Sequence, residues 1–544
     1  MTTLRIAFIA ATLTLLPAGS ALAAPHWSSP KRVVAPAQNP GTPQALFAPD
    51  GAPRGFGSDG TNPVALTGSI AGGLTAAPIT TASNGTARGA IGANGTTAAA
   101  WSDSTRAFVA VAPPAGGFGE PVQLAGGRVG DVDVAVSPDG TTTVIWRSRD
   151  GGTYQASVAQ APPGGGFGAP QVFDTGASPI STVDAAAGAD GTVAVAYTRN
   201  AGGYRVKAAL KAPGAAGFDT PQTLSDPNGT DLGAEIAVAS DGTAVAAWAN
   251  PQGAKAAFRR PGQAAFEAPV DVGPGGYSLQ LEPTPQGGTA LTYAGSGSVW
   301  AAVQAPGGGF GAVQAVGAAP GNIPPAPSIA TDAAGTTMVA YADSPTGEVR
   351  VATLGGATTL IGYGTAGTLT PVSIAASGTN RAIALWRDGE GGISSATYGE
   401  DAPASSGPGP KPAAPDRTGP RVTAPGSKTV KVARGAKTVK LTLTLSEPAA
   451  LGLFGDLRTE VRRKKRVAPI TSVDITKAKL RRAGRQTVTL QLGRKASADL
   501  RRAFAAKRAG RLYLRISARD AASNTSETTL RLTLKEKPKR ARRG

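Results

Sequence analysis

The sequence contains no cysteine and only one histidine, His26. The absence of cysteine excludes disulfide frameworks, thiolate zinc sites and cysteine nucleophiles. A single histidine excludes histidine triads, HExxH zinc proteases and multi-histidine metal sites. Beyond the first residues we find no apolar run that approaches the roughly 20 residues of a membrane-spanning helix. We therefore expect no transmembrane segment in the mature chain, and a fold that is held together by packing alone.

The first residues follow the pattern of a secretory signal peptide. A basic residue, Arg5, precedes an apolar run at 6–16, and Ala21-Leu22-Ala23 forms a small-residue cleavage site. The apolar run is too short to span a membrane. We predict that residues 1–23 are removed and that the protein is secreted, either extracellular or associated with the cell envelope. An exported protein without disulfides is more typical of bacteria than of eukaryotes.

Charge divides the chain into two parts. Residues 411–544 contain 35 basic and 9 acidic residues, whereas residues 1–410 contain 19 basic and 26 acidic residues. The change falls at residues 401–415, a segment with five prolines and few apolar side chains. Such a composition is typical of an extended spacer. The sequence therefore predicts a mildly acidic module, a Pro-rich linker and a strongly basic module.

A repeat of 43 to 51 residues fills most of the acidic module. Each copy has a small-residue–Gly–Thr turn followed by an apolar stretch that ends in Trp or Tyr. Glycine at such a turn accepts the positive φ that a tight hairpin requires. The turn glycines are Gly95, Gly140, Gly191, Gly242, Gly288, Gly335 and Gly378, and the aromatic residues are Trp101, Trp146, Tyr197, Trp248, Tyr293, Tyr341 and Trp386.

A second marker, a Pro–Gly-rich loop that contains Phe, lies between successive turns. One example is Pro163-GGGFGAP-Gln171, and we interpret it as a hairpin loop whose Phe packs under the rim, because a phosphate-binding loop would need a following helix and a Lys. The residues from Val132 to Phe173 then divide into four strands with alternating apolar positions. Four antiparallel strands at this period indicate a blade of a β-propeller. We interpret the repeated Trp and Tyr as packing between blades.

The fold class predicted from this repeat is all-β, with a propeller of about seven blades at residues 77–400. The seventh copy lacks a fourth strand, and residues 77–82 are predicted to supply it and so to close the ring. Six or eight blades are also compatible with the sequence, because residues 28–76 carry neither marker. Residues 24–76 are assigned to an N-terminal extension that is partly disordered.

The basic module, residues 416–535, has the alternation of a β-sandwich. Four strands are predicted, beginning near Thr438, Thr487, Arg511 and Thr528. Between the second and third, Ala496, Leu500, Ala503, Phe504 and Lys507 follow helical spacing, and Gly510 is the expected stop. The tail at 536–544 is predicted to be disordered.

Two short motifs carry a resemblance. Asp416-Arg-Thr-Gly-Pro420 stands at the entry of the basic module, and Ala518-Arg-Asp-Ala-Ala-Ser-Asn-Thr525 at its last turn. The module resembles the Ig-like or fibronectin-III-like modules at the C-termini of exported actinobacterial proteins, so the chain is similar to a secreted actinobacterial β-propeller repeat protein with such a module. The family usually has Gly where this sequence has Ser523, and the helix is a further departure. The resemblance implies a spacer or adhesion unit without catalytic residues.

The positive charge has two interpretations: a solvated strand face, or attachment to an anionic polymer of the cell envelope such as a glycan or teichoic acid. Sequence-specific nucleic-acid binding is not expected, because the basic module has only three aromatic residues and no recognised nucleic-acid motif. The residues predicted to bind anions are Arg462, Arg463, Lys464, Lys465, Arg466, Lys537, Lys539, Arg540, Arg542 and Arg543.

Catalysis is the less favoured class, and we predict no catalytic, cofactor or metal residues. A glycosidase would need two carboxylates, but the available glutamates occupy differing repeat positions: Glu120, Glu235, Glu267, Glu282 and Glu348. The turn aspartates Asp139, Asp190 and Asp241 recur in register, as structural residues do. Calcium at Asp131 and Asp133 is possible by ligand type alone.

The function predicted from the sequence is that of an exported, non-catalytic binding or display protein, expected to be a monomer. The propeller would present a face to a ligand or partner protein, and the basic module would hold the protein at the envelope. The alternative is a secreted propeller glycoside hydrolase or lyase that acts on polysaccharide.

Overall fold

The computed structural model describes residues 24–36, 41–226, 232–318, 326–366, 370–403, 405–409, 420–423, 429–459, 470–480, 482–519 and 525–538. The chain divides into two compact units, Met1–Pro412 and Ala413–Gly544, and this boundary lies inside the predicted linker at 401–415. The predicted signal peptide, residues 1–23, lies outside the described residues. Within these ranges no helix is long and apolar enough to cross a membrane.

Two short strands, β1 (His26–Trp27) and β2 (Lys31–Val34), come first in the chain. Four blades of four strands each follow. Blade 1 is β3 (Gln44–Phe47), β4 (Pro53–Ser58), β5 (Pro63–Ser69) and β6 (Gly73–Pro78); blade 2 is β7 (Arg88–Ile91), β8 (Thr97–Ser102), β9 (Arg106–Ala112) and β10 (Val122–Gly126); blade 3 is β11 (Arg128–Val136), β12 (Thr142–Asp150), β13 (Thr153–Ala161) and β14 (Gln171–Gly176); blade 4 is β15 (Ile180–Ala187), β16 (Val193–Asn200), β17 (Tyr204–Lys211) and β18 (Gln222–Thr223).

Four more blades complete the first unit. Blade 5 is β19 (Leu232–Val238), β20 (Ala244–Asn250), β21 (Gly253–Arg259) and β22 (Val270–Gly273); blade 6 is β23 (Tyr277–Pro283), β24 (Thr289–Gly295), β25 (Ser298–Gln304) and β26 (Gln314–Ala318); blade 7 is β27 (Ser328–Thr331), β28 (Thr337–Ala342), β29 (Glu348–Thr353) and β30 (Thr358–Tyr363); blade 8 is β31 (Val372–Ala376), β32 (Ala382–Arg387) and β33 (Ile393–Gly399), joined by β1 and β2.

The first strands of the blades form a closed ring around a central channel. Each first strand contacts the first strand of the next blade, and β31 of blade 8 contacts β3 of blade 1. Within each blade the strands pair antiparallel in chain order, so the first strand lies innermost. The described residues therefore form an eight-bladed propeller, one of the counts that the sequence left open. The four strands predicted for Val132 to Phe173 are confirmed as blade 3.

The predicted closure of the ring is wrong. Residues 77–82 do not complete the last blade; instead β1 and β2 pair with β33, with His26 opposite Gly399 and Lys31 opposite Ser395. Blade 1 spans residues 44–78, so most of the segment 24–76, assigned to a partly disordered extension, belongs to the propeller. The sequence markers miss this blade because its second strand contains neither Trp nor Tyr, and because only residues 70–72 connect β5 to β6, where blades 2 to 6 carry the Phe loop.

The repeated aromatic residues pack between blades, as predicted. Each lies on the second strand of its blade and is at most 5% exposed. Trp248, for example, shares an apolar cluster with Val206 of blade 4 and Ile236 of its own blade. The Phe residues of the Gly-rich loops also pack inward, with Phe218 and Phe266 buried. These contacts stabilise the ring and leave no aromatic platform at the repeat positions.

The second unit consists of two sheets and one helix. The three-stranded sheet comprises β34 (Val422–Thr423), β36 (Thr438–Leu445) and β39 (Gly484–Gln491); the five-stranded sheet comprises β35 (Thr429–Val432), β37 (Ala449–Thr459), β38 (Ile470–Leu480), β40 (Gly510–Arg519) and β41 (Thr525–Glu536); the helix is α1 (Arg494–Ala505). All four predicted strands are present. Alternate residues of both sheets, such as Leu441 and Leu514, meet in one apolar core.

The predicted helix is present but ends earlier than expected. Ala496, Leu500, Ala503 and Phe504 are buried against the sheets. Lys507 adopts a left-handed conformation with φ of 54°, and the amide of Arg508 donates to the carbonyl of Ala503 at 2.9 Å. This is a Schellman termination in which Lys507 takes the place usually held by glycine. Gly510, the expected stop, instead begins β40.

Candidate binding site in the central channel

One polar residue recurs on the first strand of every blade. The turn after this strand contains a residue with φ between 57° and 94° in each blade: Gly51, Gly95, Gly140, Gly191, Gly242, Gly287, Gly335 and Asn380. Seven positions earlier in the chain stand the residues that we call the ring residues: Gln44, Arg88, Asp133, Asp184, Glu235, Gln280, Ser328 and Ser373. All eight are polar, although their neighbours along the strands are mostly apolar.

Five ring residues accept a hydrogen bond from the next blade. The inner edge of a propeller blade carries backbone N–H groups without a strand partner, and such groups are costly to bury unpaired. In each case the donor is the amide that follows the next ring residue. The bonds are Gly89 to Gln44 Oε1 (2.7 Å), Ala185 to Asp133 Oδ2 (3.0 Å), Ile236 to Asp184 Oδ2 (2.6 Å), Ile374 to Ser328 Oγ (3.0 Å) and Ala45 to Ser373 Oγ (2.9 Å).

Three ring residues do not make this bond. Arg88 has no acceptor atom in its side chain. Glu235 makes no hydrogen bond or ion pair with the described residues, and the Oε1 atom of Gln280 is buried without a partner among them. These three residues belong to blades 2, 5 and 6. Most ring residues therefore hold neighbouring blades together, whereas the side chains at these three positions do not take part in this bonding.

Carboxylates gather on blades 3 to 6. Enclosure by protein raises the pKa of Glu235 to about 8 and that of Glu282, two positions beyond ring residue Gln280, to about 7. Burial, reinforced by Glu235 and Asp133, raises the pKa of Asp184 well above its usual range. Burial also raises the pKa of Asp131, against the attraction of Arg88. Part of this carboxylate group is therefore protonated near neutral pH.

Arg88 lies within the field of these carboxylates. Burial would lower its pKa, but Asp133, Asp131, Glu235 and Asp184 raise it further, so the guanidinium stays charged. The side chains of Arg88 and Glu282 are both exposed to the water inside the channel. The walls of the channel nevertheless surround both side chains with protein atoms. The channel is thus a narrow, wet space in which charges interact more strongly than in bulk water.

A cavity of about 510 Å³ opens where the connections between blades enter their first strands. It joins blades 8, 1, 2 and 3, and we call it the channel-mouth cavity. Arg88, Arg387 and Asp131 supply its charges, and Arg147 lies beside it because its guanidinium packs over Gly130. The other lining residues are Gly41, Thr42, Gly85, Thr86, Trp101, Ser102, Gly130, Val132 and Pro371.

A second cavity, of about 400 Å³, lies between blades 1 and 2 at the opposite end of the strands. Phe56 and Phe118 form its apolar part, and Asp50, Arg54 and Asn94 are among its polar lining residues. This cavity receives side chains from two blades only. The channel-mouth cavity, by contrast, combines charged groups from separate blades, so we regard it as the better candidate for a binding site.

The second unit carries a basic sheet face. Along β40, Leu512, Leu514 and Ile516 enter the core, whereas the residues between them point outward. The guanidinium groups of Arg458 and Arg531 lie 4.7 and 5.9 Å from the ring centroid of Tyr513. Arg515 also forms an ion pair with Glu527. We define the basic face as the exposed residues Arg458, Arg511, Arg515, Arg519 and Arg531.

No family model and no curated protein matches the chain. Among solved structures, a streptogramin B lyase is 11% identical with a TM-score of 0.36, over 57% of this chain and 93% of that chain. A virginiamycin B lyase from Staphylococcus aureus is 10% identical with a TM-score of 0.37, over 68% and 99%. A prolyl endopeptidase is 14% identical with a TM-score of 0.39, over 64% of this chain and about half, 54%, of that chain. These likenesses concern the propeller fold alone.

The structure places the carboxylates that were considered from the sequence in different environments. Glu235 and Glu282 come together in the channel, although they differ in repeat position. Glu267 pairs with Arg260 and Glu348 with Arg350, and Glu120 is exposed. The turn aspartates are structural, as predicted: Asp139, Asp190 and Asp241 each accept the amide of the Thr two residues later.

The calcium alternative at Asp131 and Asp133 gains no support from the geometry. Both carboxylates accept amides of β15, from Val183 and Ala185. The described part of the chain contains no group of three or more His, Asp or Glu residues that could hold a metal ion.

Most residues predicted to bind anions lie outside the described residues. These are Arg462, Arg463, Lys464, Lys465, Arg466, Lys539, Arg540, Arg542 and Arg543. Lys537 is described and exposed. Sequence reasoning missed Arg88, Arg387 and the basic face. The signal available for Arg88 was the fixed distance of seven residues between each polar position and the turn that follows it.

Proposed function

We propose that this protein is an exported, non-catalytic binding protein with two binding surfaces. The propeller would bind a small polar ligand in the channel-mouth cavity. The second unit would attach the protein to an anionic polymer of the cell envelope through its basic face. The observation that carries the proposal is the cavity itself, because two guanidinium groups in its wall, Arg88 and Arg387, make no hydrogen bond or ion pair with the described residues.

The basic face supports the attachment. Five exposed arginines share one sheet surface, with Glu527 paired to one of them, and the net charge of residues 411–544 is strongly positive. A surface of one sign attracts a polymer of the opposite sign over about a Debye length, roughly 8 Å at physiological salt. The two sheets that share one core also fit the resemblance to Ig-like modules, which generally act as spacers or adhesion units.

Co-sedimentation of the full-length protein with isolated bacterial envelopes, across a salt series, tests the attachment. We expect binding at low salt and release as salt rises. The variant Arg511→Gln/Arg519→Gln/Arg531→Gln should bind several-fold less. The matched control Lys437→Gln/Lys440→Gln/Arg485→Gln removes three exposed charges from elsewhere in the same unit and should bind nearly as well as the natural protein. Equal losses in both variants would contradict a specific face.

A polysaccharide hydrolase or lyase is the second candidate. Glu235 and Glu282 favour it, because carboxyl groups that remain protonated near neutral pH can act as general acids. The same sedimentation samples distinguish the two functions. An enzyme would release soluble fragments from the envelopes and would lose this activity in Glu235→Gln, whereas a binding protein would release none.

A further inference from the structure

The guanidinium groups of Arg88 and Arg387 make no hydrogen bond or ion pair with the described residues. Both line the channel-mouth cavity, on blades 2 and 8. Four carboxylates lie close enough to Arg88 to raise its pKa, yet Arg88 forms no ion pair with any of them. Space for a further group therefore remains beside the guanidinium.

We propose that the channel-mouth cavity binds a small oxyanion, a carboxylate or phosphate group, on Arg88 and Arg387, and that this binding strengthens as the pH falls. The inference rests on the proposed function of the cavity. It adds the chemical class of the ligand and the dependence of its affinity on pH.

The chemistry of the cavity wall favours an oxyanion. A guanidinium presents N–H groups in a planar fork that matches two oxygens of a carboxylate or phosphate. The hydroxyl groups of Thr42 and Thr86 lie in the same wall and can donate further hydrogen bonds. A volume of about 510 Å³ falls within the range of roughly 300–1,000 Å³ that is typical of small-molecule sites.

The carboxylates around Arg88 compete with such a ligand. Asp131 and Asp133 face it from β11, Asp184 from β15 and Glu235 from β19. Glu282 of β23 acts on this group through Glu235, and Arg147 of β12 acts on Asp131. The ring residue of β23 is the neutral Gln280, and the remaining first strands, β3, β27 and β31, contribute only the neutral ring residues Gln44, Ser328 and Ser373.

The sign of the pH effect follows from these neighbours. The pKa values of Glu235 and Glu282, about 8 and 7, lie near neutral pH, so both carboxyl groups gain protons as the pH falls from 8 to 6. Each proton removes a negative charge that repels the incoming anion. Binding must then be accompanied by proton uptake, and uptake of one proton strengthens binding by at most about tenfold per pH unit.

Isothermal titration calorimetry on the full-length protein tests the proposal. The probes are D-galacturonate, D-galactose as its uncharged match, and inorganic phosphate, each at pH 6, 7 and 8. We expect galacturonate or phosphate to bind, with an affinity that falls threefold to tenfold for each unit by which the pH rises. We expect galactose not to bind. Binding of only one of the two anions would support the proposal and identify the oxyanion as planar or tetrahedral.

Variants locate the site. Arg88→Gln and Arg387→Gln should each weaken anion binding at least tenfold, and Glu235→Gln should flatten its pH dependence. Arg54→Gln, in the second cavity, serves as the matched control and should leave binding unchanged. Should Glu235→Gln fail to fold, proton uptake by the natural protein can be measured instead, from titrations in two buffers with different heats of ionisation.

The outcomes separate this inference from the proposed function. Equal binding of galactose and galacturonate, lost in Arg88→Gln, would overturn the oxyanion class while leaving the cavity as the binding site. Anion binding without proton uptake would overturn the control by pH. No binding of any probe between pH 6 and 8 would overturn both the inference and the cavity as a binding site.

Discussion

The propeller encloses carboxylates in its central channel, whereas the second unit exposes arginines on a sheet face. Both units are built from strands with alternating apolar residues, so the difference lies in where each strand sends its polar side chains. In the propeller, five of the eight ring residues accept an amide of the next blade, as Asp133 does from Ala185. On β40 the polar positions face water.

This difference predicts different consequences for the same kind of substitution. A charged side chain inside the channel accepts hydrogen bonds from backbone amides, and neighbouring charges influence its protonation. A charge on the basic face has high-dielectric solvent around it and holds little of the fold. Removing charges in the channel should therefore change stability, and removing charges from the basic face should change binding alone.

The largest effect is expected for Asp133→Ala. Asp133 is 7% exposed and accepts the amide of Ala185 at 3.0 Å, so the substitution leaves a partly buried N–H group without this acceptor. We expect the free energy of unfolding to fall by about 1–3 kcal/mol, measured by urea denaturation. Asp133→Asn, which retains an acceptor oxygen, should cost clearly less. Equal losses in both variants would show that the hydrogen bond is not what matters.

An intermediate effect is expected from pH. The pKa of Glu235 rises from the usual 4.5 to about 8 in the folded protein, so the folded state holds a proton that the unfolded state releases above pH 4.5. Stability from this group is present at low pH and is lost as the pH rises toward 8. Glu235→Gln should reduce the loss between pH 5 and pH 8 by about 1–2 kcal/mol.

Urea denaturation at pH 5, 6.5 and 8 measures this loss. Glu120→Gln, at an exposed position, is the control and should leave the pH dependence unchanged. A steeper pH dependence in Glu235→Gln would mean that the sign assigned to this carboxyl group is wrong.

The smallest effect is expected on the basic face. Arg511→Gln/Arg519→Gln/Arg531→Gln changes three exposed residues, so the free energy of unfolding should change by less than about 0.5 kcal/mol per site. The same urea titration measures it. A loss of unfolding free energy as large as that of Asp133→Ala would show that exposed charges matter to stability as much as charges in the channel do.

Much of the fold could be predicted from the sequence because its signals are local. The Asp-Gly-Thr turns, the alternating strands and the aromatic residue on each second strand recur at a fixed period, and each is decided by residues a few positions apart. Blade 1 was missed since its turn, Asp50-Gly51, lacks the following Thr and is not followed by Trp or Tyr six residues after the glycine. The closing strand was misplaced because pairing β1 with β33 joins residues at opposite ends of the propeller sequence.

The candidate site could be predicted only in fragments. Glu235 and Glu282 were considered and set aside because they differ in repeat position, yet adjacent blades bring them into one channel. Arg88 and Arg387 had no motif at all. They meet because blade 8 closes onto blade 1, which brings first strands β31 and β3 into contact.

The sequence by itself determined the all-β architecture, the repeat, the charge asymmetry and the buried faces of the strands, since each depends on short-range pattern. Only the tertiary structure decided the number of blades, the channel-mouth cavity and the raised pKa values of Glu235 and Glu282. These depend on ring closure, which places groups from distant parts of the chain in one channel, where enclosure by protein and neighbouring charges set their protonation.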